Sequence, residues 1–204
     1  MLSRRRRAPR GMTLIEVLVG LTLLAIILAL GAPSFSTWLT NSRVRTTAES
    51  LLAGLQTAKA EAVARNGRVR FQLVSSLDGS CEISDAGTSW VVNLDPTNDP
   101  DAIEGACNAE PSDTDAPRIV QTRPGSESVG STQVVASEPT LVFNGLGRLT
   151  PVPAGDVTID VSNPSAGECA VDGGQITCLR IVVSPAGQIR MCNPKFELPD
   201  PQGC

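Results

Sequence analysis

The sequence contains no histidine and no tyrosine among its 204 residues, and aromatic residues make up only 3% of it. Without an imidazole, the chain has no residue for a Ser-His-Asp triad, for a histidine base or for zinc held by histidine. Serines and carboxylates are present, but none stands at a recognisable spacing from a general base. The composition therefore predicts no enzyme and no cofactor, and it favours a structural or binding protein.

All six cysteines follow the N-terminal apolar run, and none belongs to a C-x-x-C pair. An even number of dispersed cysteines is typical of disulfides in an oxidising compartment rather than of a metal site. Sequence alone allows many pairings, and free buried thiols are the alternative. The stretch CAVDGGQITC, with Asp172-Gly173-Gly174 at its centre, is interpreted as a tight hairpin that brings its own two cysteines together. The favoured pairing is Cys169 with Cys178, Cys192 with Cys204, and Cys81 with Cys107.

The net charge of −4 hides an uneven distribution, since basic residues crowd positions 4–10 whereas positions 78–115 hold acids and no base. Oxygen-bearing side chains that would suit calcium stand close together in this acidic stretch. They are Asp95, Asn98, Asp99 and Asp101. The stretch lacks the central glycine and the distal glutamate of an EF-hand. A solvated acidic loop is therefore favoured, and no metal site is predicted.

An apolar run extends from Met12 to Leu30 directly after the arginine cluster. Its 19 residues have the length that crosses the hydrocarbon core of a membrane. The positive-inside rule then places the N-terminus in the cytoplasm and the rest of the chain outside it. Two alternatives stay open: an ordinary signal peptide that releases a soluble exported β protein, and a twin-arginine signal. Glu16 argues against both, because a carboxylate at membrane depth costs about 2.5–3.5 kcal/mol and a disposable signal gains nothing from it.

The stretch GMTLIE, from Gly11 to Glu16, resembles the class III signal of type IV pilins and pseudopilins. The resemblance implies that a prepilin peptidase cuts between Gly11 and Met12, methylates the new N-terminus and leaves the apolar helix on the mature protein. It also implies that Glu16 neutralises the N-terminal amine of a neighbouring pilin subunit. Met12 departs from the family pattern, in which phenylalanine is commoner. The expected location is the bacterial inner membrane with a periplasmic head and, after assembly, a periplasmic or surface filament.

Beyond Gly31, apolar residues recur at three- and four-residue steps, and this spacing predicts an amphipathic helix that ends near Asn66-Gly67. Later runs rich in valine, isoleucine and threonine predict strands at 69–75, 89–94, 118–122, 140–144, 157–161, 176–184 and 188–192. The turn Ser184-Pro185-Ala186-Gly187 joins the last two strands in a hairpin.

The predicted segments are a cleaved leader at 1–11, a transmembrane and assembly helix at 12–32, a stem helix at 33–67 and a β-rich head at 68–204. The predicted fold class is α+β, in which a long N-terminal helix packs on a C-terminal antiparallel β-sheet head. This is the architecture that the resemblance to type IV pilins implies.

Within that family, four features resemble the GspH/FimT branch: the helix that ends in AVARN (62–66), Trp90 in the second strand, LVFNGLGRLT (141–150) and LRIVVSPAGQIRMCNP (179–194). The resemblance implies a minor pilin or pseudopilin that assembles with other pilins in a type IV pilus or a type II secretion system. Its expected partners are prepilin peptidase, other pilins and inner-membrane lipid.

Some members of the FimT type bind DNA through a C-terminal Gly-Arg-x-Arg element, and this raises a DNA-binding hypothesis for the basic residues of the head. These residues are Arg148, Arg180, Arg190 and Lys195. The matching element here runs from Gly187 to Arg190 and has glutamine at the first arginine position. Without residues 1–11, 12 basic residues stand against 21 acidic ones, which is a net charge of −9. Solvated strand charges are therefore favoured over phosphate contacts.

Overall fold

The computed structural model describes residues 11–95, 99–125 and 132–204, except the side chains of residues 30–34. The chain divides into two units, Met1–Trp38 and Leu39–Cys204. One helix, α1 (Leu14–Arg65), begins in the first unit and ends in the second. Residues 1–10 of the predicted leader lie outside the described residues. The segment boundaries drawn from the sequence stay predictions.

In the first unit, the large apolar side chains between Met12 and Leu28 are 46–81% exposed. Apolar residues occupy every side of this part of α1, so no single face of it could bury them all. Among the described residues, no helix combines the length and the apolar content that crossing a membrane requires.

The C-terminus of α1 lies at the predicted Asn66-Gly67 stop. Asn66 adopts the left-handed conformation with φ of 46°. Its N–H donates to the carbonyl of Val63 (3.2 Å), and the N–H of Gly67 donates to the carbonyl of Ala62 (3.1 Å). These two bonds form a Schellman motif, which satisfies carbonyls that the last helical turn would otherwise leave without donors.

The described part of the second unit contains eight strands, joined into two antiparallel sheets in the orders β3-β2-β1-β5 and β4-β6-β7-β8. The strands are β1 (Val69–Val74), β2 (Ser89–Leu94), β3 (Ile119–Arg123), β4 (Gln133–Ala136), β5 (Thr140–Phe143), β6 (Val157–Ser162), β7 (Leu179–Val183) and β8 (Ile189–Cys192). The strands β7 and β8 form the predicted hairpin. The α+β fold class predicted from the sequence is therefore confirmed.

Six residues of α1 in the second unit are completely buried and share one core with side chains of both sheets. They are Val44, Ala48, Leu51, Leu55, Ala58 and Ala62. Their spacing alternates between four and three residues, so they line one face of the helix. The amphipathic pattern seen in the sequence is this face.

A glycine allows the helix to approach the first sheet closely. A Cβ on Gly54 would lie 2.7 Å from a ring carbon of Phe71 and 2.9 Å from the indole of Trp90. Both rings are buried, with centroids 5.8 Å apart. The indole N–H of Trp90 donates to Ser50 Oγ (3.1 Å), one helical turn before Gly54. The packing of α1 on this sheet therefore depends on a missing side chain at Gly54.

Three expectations about the strands need correction. Strand β4 was not predicted, although its buried Val134 and Ala136 alternate with exposed residues. Strand β7, which was predicted to begin at position 176, begins at Leu179. The stretch CAVDGGQITC is not a hairpin: Ala170–Asp172 form a 3-10 turn, Gly173 takes φ of 89°, and Cys169 pairs with Ile176 in a parallel bridge.

Candidate assembly site

The predicted processing motif lies at the very start of α1. Gly11, Met12 and Thr13 have no regular secondary structure, and all three are exposed. The backbone N–H of Glu16 donates to the Thr13 carbonyl (3.1 Å) and approaches Thr13 Oγ1 (3.4 Å). Thr13 is thus the N-cap of the helix. The bond between Gly11 and Met12 therefore lies outside the helix, and both of its residues are exposed.

Glu16 occupies the third helical position, where a carboxylate interacts favourably with the positive end of the helix dipole. Thr13 and Glu16 have the spacing of a capping box, a signal in the sequence that marks the start of a helix. Glu16 is exposed, and it is the only charged residue between Leu14 and Ala29. The site therefore presents one acid, accessible to other molecules, at the end of an apolar surface.

The structure joins the six cysteines in the pairs that the sequence favoured: Cys81–Cys107, Cys169–Cys178 and Cys192–Cys204. The first disulfide belongs to a small second core beside Val74, Ile103 and Ile119. The last one closes a C-terminal segment whose carbonyls at Gly203 and Cys204 accept bonds from Arg190. The first disulfide therefore ties two irregular segments together beside the first sheet, and the last one ties the C-terminal segment to the end of β8.

Asp99, Asp101 and Glu104 of the acidic segment are exposed, as predicted for a solvated loop, but Asp95 is not in solvent. Asp95 is 3% exposed, and its carboxylate pairs with Arg70 and with Arg68 Nη2 (2.7 Å). Arg70 is also buried and donates from Nη1 to the carbonyl of Asp99 (2.8 Å). Burial lowers the pKa of Arg70 from its ordinary value, and the negative charge of Asp95 opposes that change. The segment covers the outer face of β1, where Gln72 Nε2 donates to the carbonyl of Pro100 (2.9 Å).

A family model described as "Type II transport protein GspH" matches residues 47–187. The chain belongs to the GspH family. A second model, described as "Prokaryotic N-terminal methylation motif", matches residues 6–32 of this GspH-family protein. With both matches on one chain, the protein is a minor pilin or pseudopilin of the GspH/FimT type. A comparison with curated proteins gave no match.

Two crystal structures of the type IV minor pilin FimU of Pseudomonas aeruginosa are similar to the GspH-family chain. One has 18% sequence identity and a TM-score of 0.48, and the match covers 74% of this chain and 88% of that one. The other has 19% identity and a TM-score of 0.45, with coverages of 72% and 90%.

The head of this GspH-family pilin holds the four basic residues considered for DNA. Arg180 and Arg190 lie on neighbouring strands, β7 and β8, and share the outer face of their sheet. The guanidinium of Arg180 pairs with both carboxylate oxygens of Asp160 (2.7 and 3.0 Å). That hydrogen bond raises the pKa of Arg180 above its ordinary value. Arg190 holds the C-terminal segment, so both guanidinium groups already have acceptors.

The remaining two basic residues are exposed at separate places in the pilin head. Arg148 lies in the loop after β5, next to the Gly187 turn, and Lys195 lies beyond β8. The structure thus brings Arg180 and Arg190 together on one face, whereas Arg148 and Lys195 belong to two different loops.

Three of the four residues considered for calcium are among those that the structure describes. Asp95 is engaged by two arginines, and Asn98 lies outside the description. Among the residues that the structure describes, no group of three or more acidic or cysteine side chains is arranged to hold a metal ion. The acidic segment instead supplies an internal ion pair and a cover for β1.

Proposed function

We propose that this GspH-family protein is a filament subunit that is processed between Gly11 and Met12 by a prepilin peptidase and anchored in the inner membrane by residues 12–32. It assembles with other pilins through the same helix, with its head in the periplasm. The observation that carries the proposal is the exposure of 46–81% among the large apolar side chains from Met12 to Leu28. A long, contiguous apolar surface of this kind is typical of a membrane or protein contact.

Glu16 provides the second line of support. A lone carboxylate in an apolar segment needs a cationic partner, because burying an unpaired charge is expensive. A cut after Gly11 creates an amine at Met12, and the exposed Glu16 of one subunit is accessible to the amine of the next. This pairing would set the axial register between neighbouring subunits.

The test compares two substitutions. We expect Glu16→Gln to leave processing intact, with a mature N-terminus at Met12 by mass spectrometry, but to abolish incorporation into the filament fraction. We expect replacement of Gly11 by a bulkier residue to block processing itself. Glu49→Gln is the matched control, since Glu49 is an exposed acid on the same helix whose partner, Arg45, lies within its own chain (2.8 Å).

Two results would contradict the proposal. A mature protein that begins at any residue other than Met12 rules out the processing step. Normal filament incorporation of Glu16→Gln rules out the role of Glu16, even if processing is correct.

The filament is that of a type IV pilus or of a type II secretion system. Deleting the gene in its native host separates the two. Loss of surface pili with normal secretion identifies the pilus, whereas loss of secreted enzymes with normal pili identifies the secretion system.

A further inference from the structure

Two large aromatic side chains of the first unit are exposed and in contact with each other. Phe35 and Trp38 are each 61% exposed, and their rings stack with centroids 5.9 Å apart. Aromatic residues are scarce in this chain, and Phe71, Trp90 and Phe143 are all buried in the core. An exposed stacked pair is therefore an exception that needs a partner.

The position of the pair along the chain indicates what that partner is. The apolar run ends at Leu30, and the second unit begins at Leu39, so the pair falls in the short interval between them. Its immediate neighbours, Ser36 and Thr37, are polar. Apolar rings among polar neighbours, just past a long apolar run, match the headgroup layer of a bilayer, where tryptophan is enriched because its indole is apolar with one polar N–H.

The length of the helix agrees with this location. From Leu14 to Trp38, α1 rises roughly 36 Å at 1.5 Å per residue. A bilayer measures about 30 Å across its hydrocarbon core and about 40–45 Å with its headgroups. If the midpoint between Leu14 and Trp38 lies at the centre of the bilayer, Leu14 falls in one headgroup layer and Trp38 in the other.

We propose that Phe35 and Trp38 bind the phospholipid headgroup layer on the periplasmic face of the inner membrane and set the depth of the helix. This inference rests on the membrane anchoring proposed above. Glu16 lies roughly 33 Å before Trp38 along the helix, slightly more than the thickness of the hydrocarbon core. Anchoring at Trp38 thus holds the Glu16 carboxylate at the cytoplasmic edge of the hydrocarbon core. There it retains contact with headgroups and water until the subunit is assembled.

The test is depth-resolved quenching of tryptophan fluorescence. The full chain is reconstituted into vesicles of phosphatidylethanolamine and phosphatidylglycerol whose acyl chains carry bromine either next to the headgroup or near the bilayer centre. We expect strong quenching by the shallow bromine and weak quenching by the deep one. Trp38→Phe keeps an aromatic ring on the helix but leaves Trp90 as the only tryptophan, and Trp90 is 1% exposed inside the protein core. This variant should therefore lose the quenching.

Vesicle flotation in a density gradient distinguishes a failure of membrane anchoring from a failure of the position proposed for Trp38. If the chain does not float with the vesicles, the membrane anchoring fails, and this inference fails with it. If the chain floats but the shallow bromine does not quench Trp38, or the deep bromine quenches it more strongly, the inference alone is overturned. Emission from Trp38 that ignores bromine but shifts with protein concentration would assign the pair to a second copy of the helix, which also overturns it.

Discussion

The two ends of α1 are both rich in apolar residues, yet they differ in what covers those residues. Between Met12 and Leu28, large apolar side chains lie on all sides of the helix and are 46–81% exposed. Between Val44 and Ala62, six apolar residues line one face and are fully buried, whereas Ala53 and Ala60 on the other side are small and exposed. A helix that is apolar all round needs an apolar environment, whereas a one-sided stripe needs one packing surface. Among the residues that the structure describes, only the second requirement is met.

The largest effect is expected when the same substitution, leucine to alanine, is made at each end of the helix. Leu51→Ala should destabilise the head by about 2–5 kcal/mol, because it leaves a cavity at a fully buried position. Leu24→Ala, at a position that is 51% exposed, should leave the denaturation midpoint of the head unchanged while it lowers filament incorporation. Denaturant unfolding in detergent measures the first effect, and a sheared-filament assay measures the second. Equal losses of stability would contradict the distinction.

Disulfides sharpen the same contrast, since the three described disulfides all lie in the second unit. Replacing Cys81 and Cys107 by alanine opens a loop with a sequence separation of 26 and should cost about 3.5 kcal/mol from chain entropy. Replacing Cys169 and Cys178 opens a separation of only 9 and should cost about 2.6 kcal/mol. Thermal unfolding of each double variant gives the ranking. The reverse order would show that native packing outweighs loop closure.

Glycine offers a matched pair of substitutions along the same helix. Gly54→Ala should destabilise the head by about 1–3 kcal/mol, because its Cβ would overlap the rings of Phe71 and Trp90. Gly20→Ala meets nothing within 4 Å and should not destabilise the head, since alanine favours the helix by about 1 kcal/mol. Chemical unfolding of both variants is the measurement. A stabilised Gly54→Ala head would mean that the sheet moves away at no cost.

The smallest effect is expected at the surface of the second sheet. Arg180→Ala removes a pair with Asp160 whose side chains are both more than a third exposed, so it should cost less than about 1 kcal/mol. The loss should shrink further at high salt, because exposed ion pairs are screened. Unfolding at two ionic strengths checks this. A cost that does not respond to salt would indicate that Arg180 contributes by packing.

Local sequence signals accounted for much of the fold. The helix end at Asn66 and the β7–β8 hairpin follow from short-range chemistry, because Asn-Gly terminates a helix and Pro-Ala-Gly makes a turn. The buried face of α1 follows from its spacing, which no long-range contact has to supply. At the N-terminus, the motif GMTLIE predicted a role for Glu16 in assembly, but the role of Thr13 as the N-cap of the helix was not predicted.

Features that depend on distant contacts were not predictable from these signals. Strand β4 has only four residues and forms by pairing with β6, so its own composition carries little information. The loop from Cys169 to Cys178 has glycines typical of a hairpin, but the backbone approach of Gly174 to Glu168 selects another conformation. Asp95 was expected in solvent because its sequence neighbours give no sign of its partners. These are Arg70 in β1 and Arg68 just before that strand, both distant from Asp95 in the sequence.

The last turns of α1 are held by one loop from each sheet. The Gly145–Gly147 loop after β5 lies against Asn66 and Val63, and the Gly187 carbonyl of the β7–β8 turn accepts a bond from Lys59 Nζ (2.8 Å). A Cβ on Gly187 would lie 1.8 Å from the carbonyl oxygen of Gly147, so the two loops are themselves in close contact. These contacts lie at the end of the helix face, Val44 to Ala62, that both sheets already bury, so a pulling force transmitted along the helix is divided between the two sheets instead of detaching one of them alone.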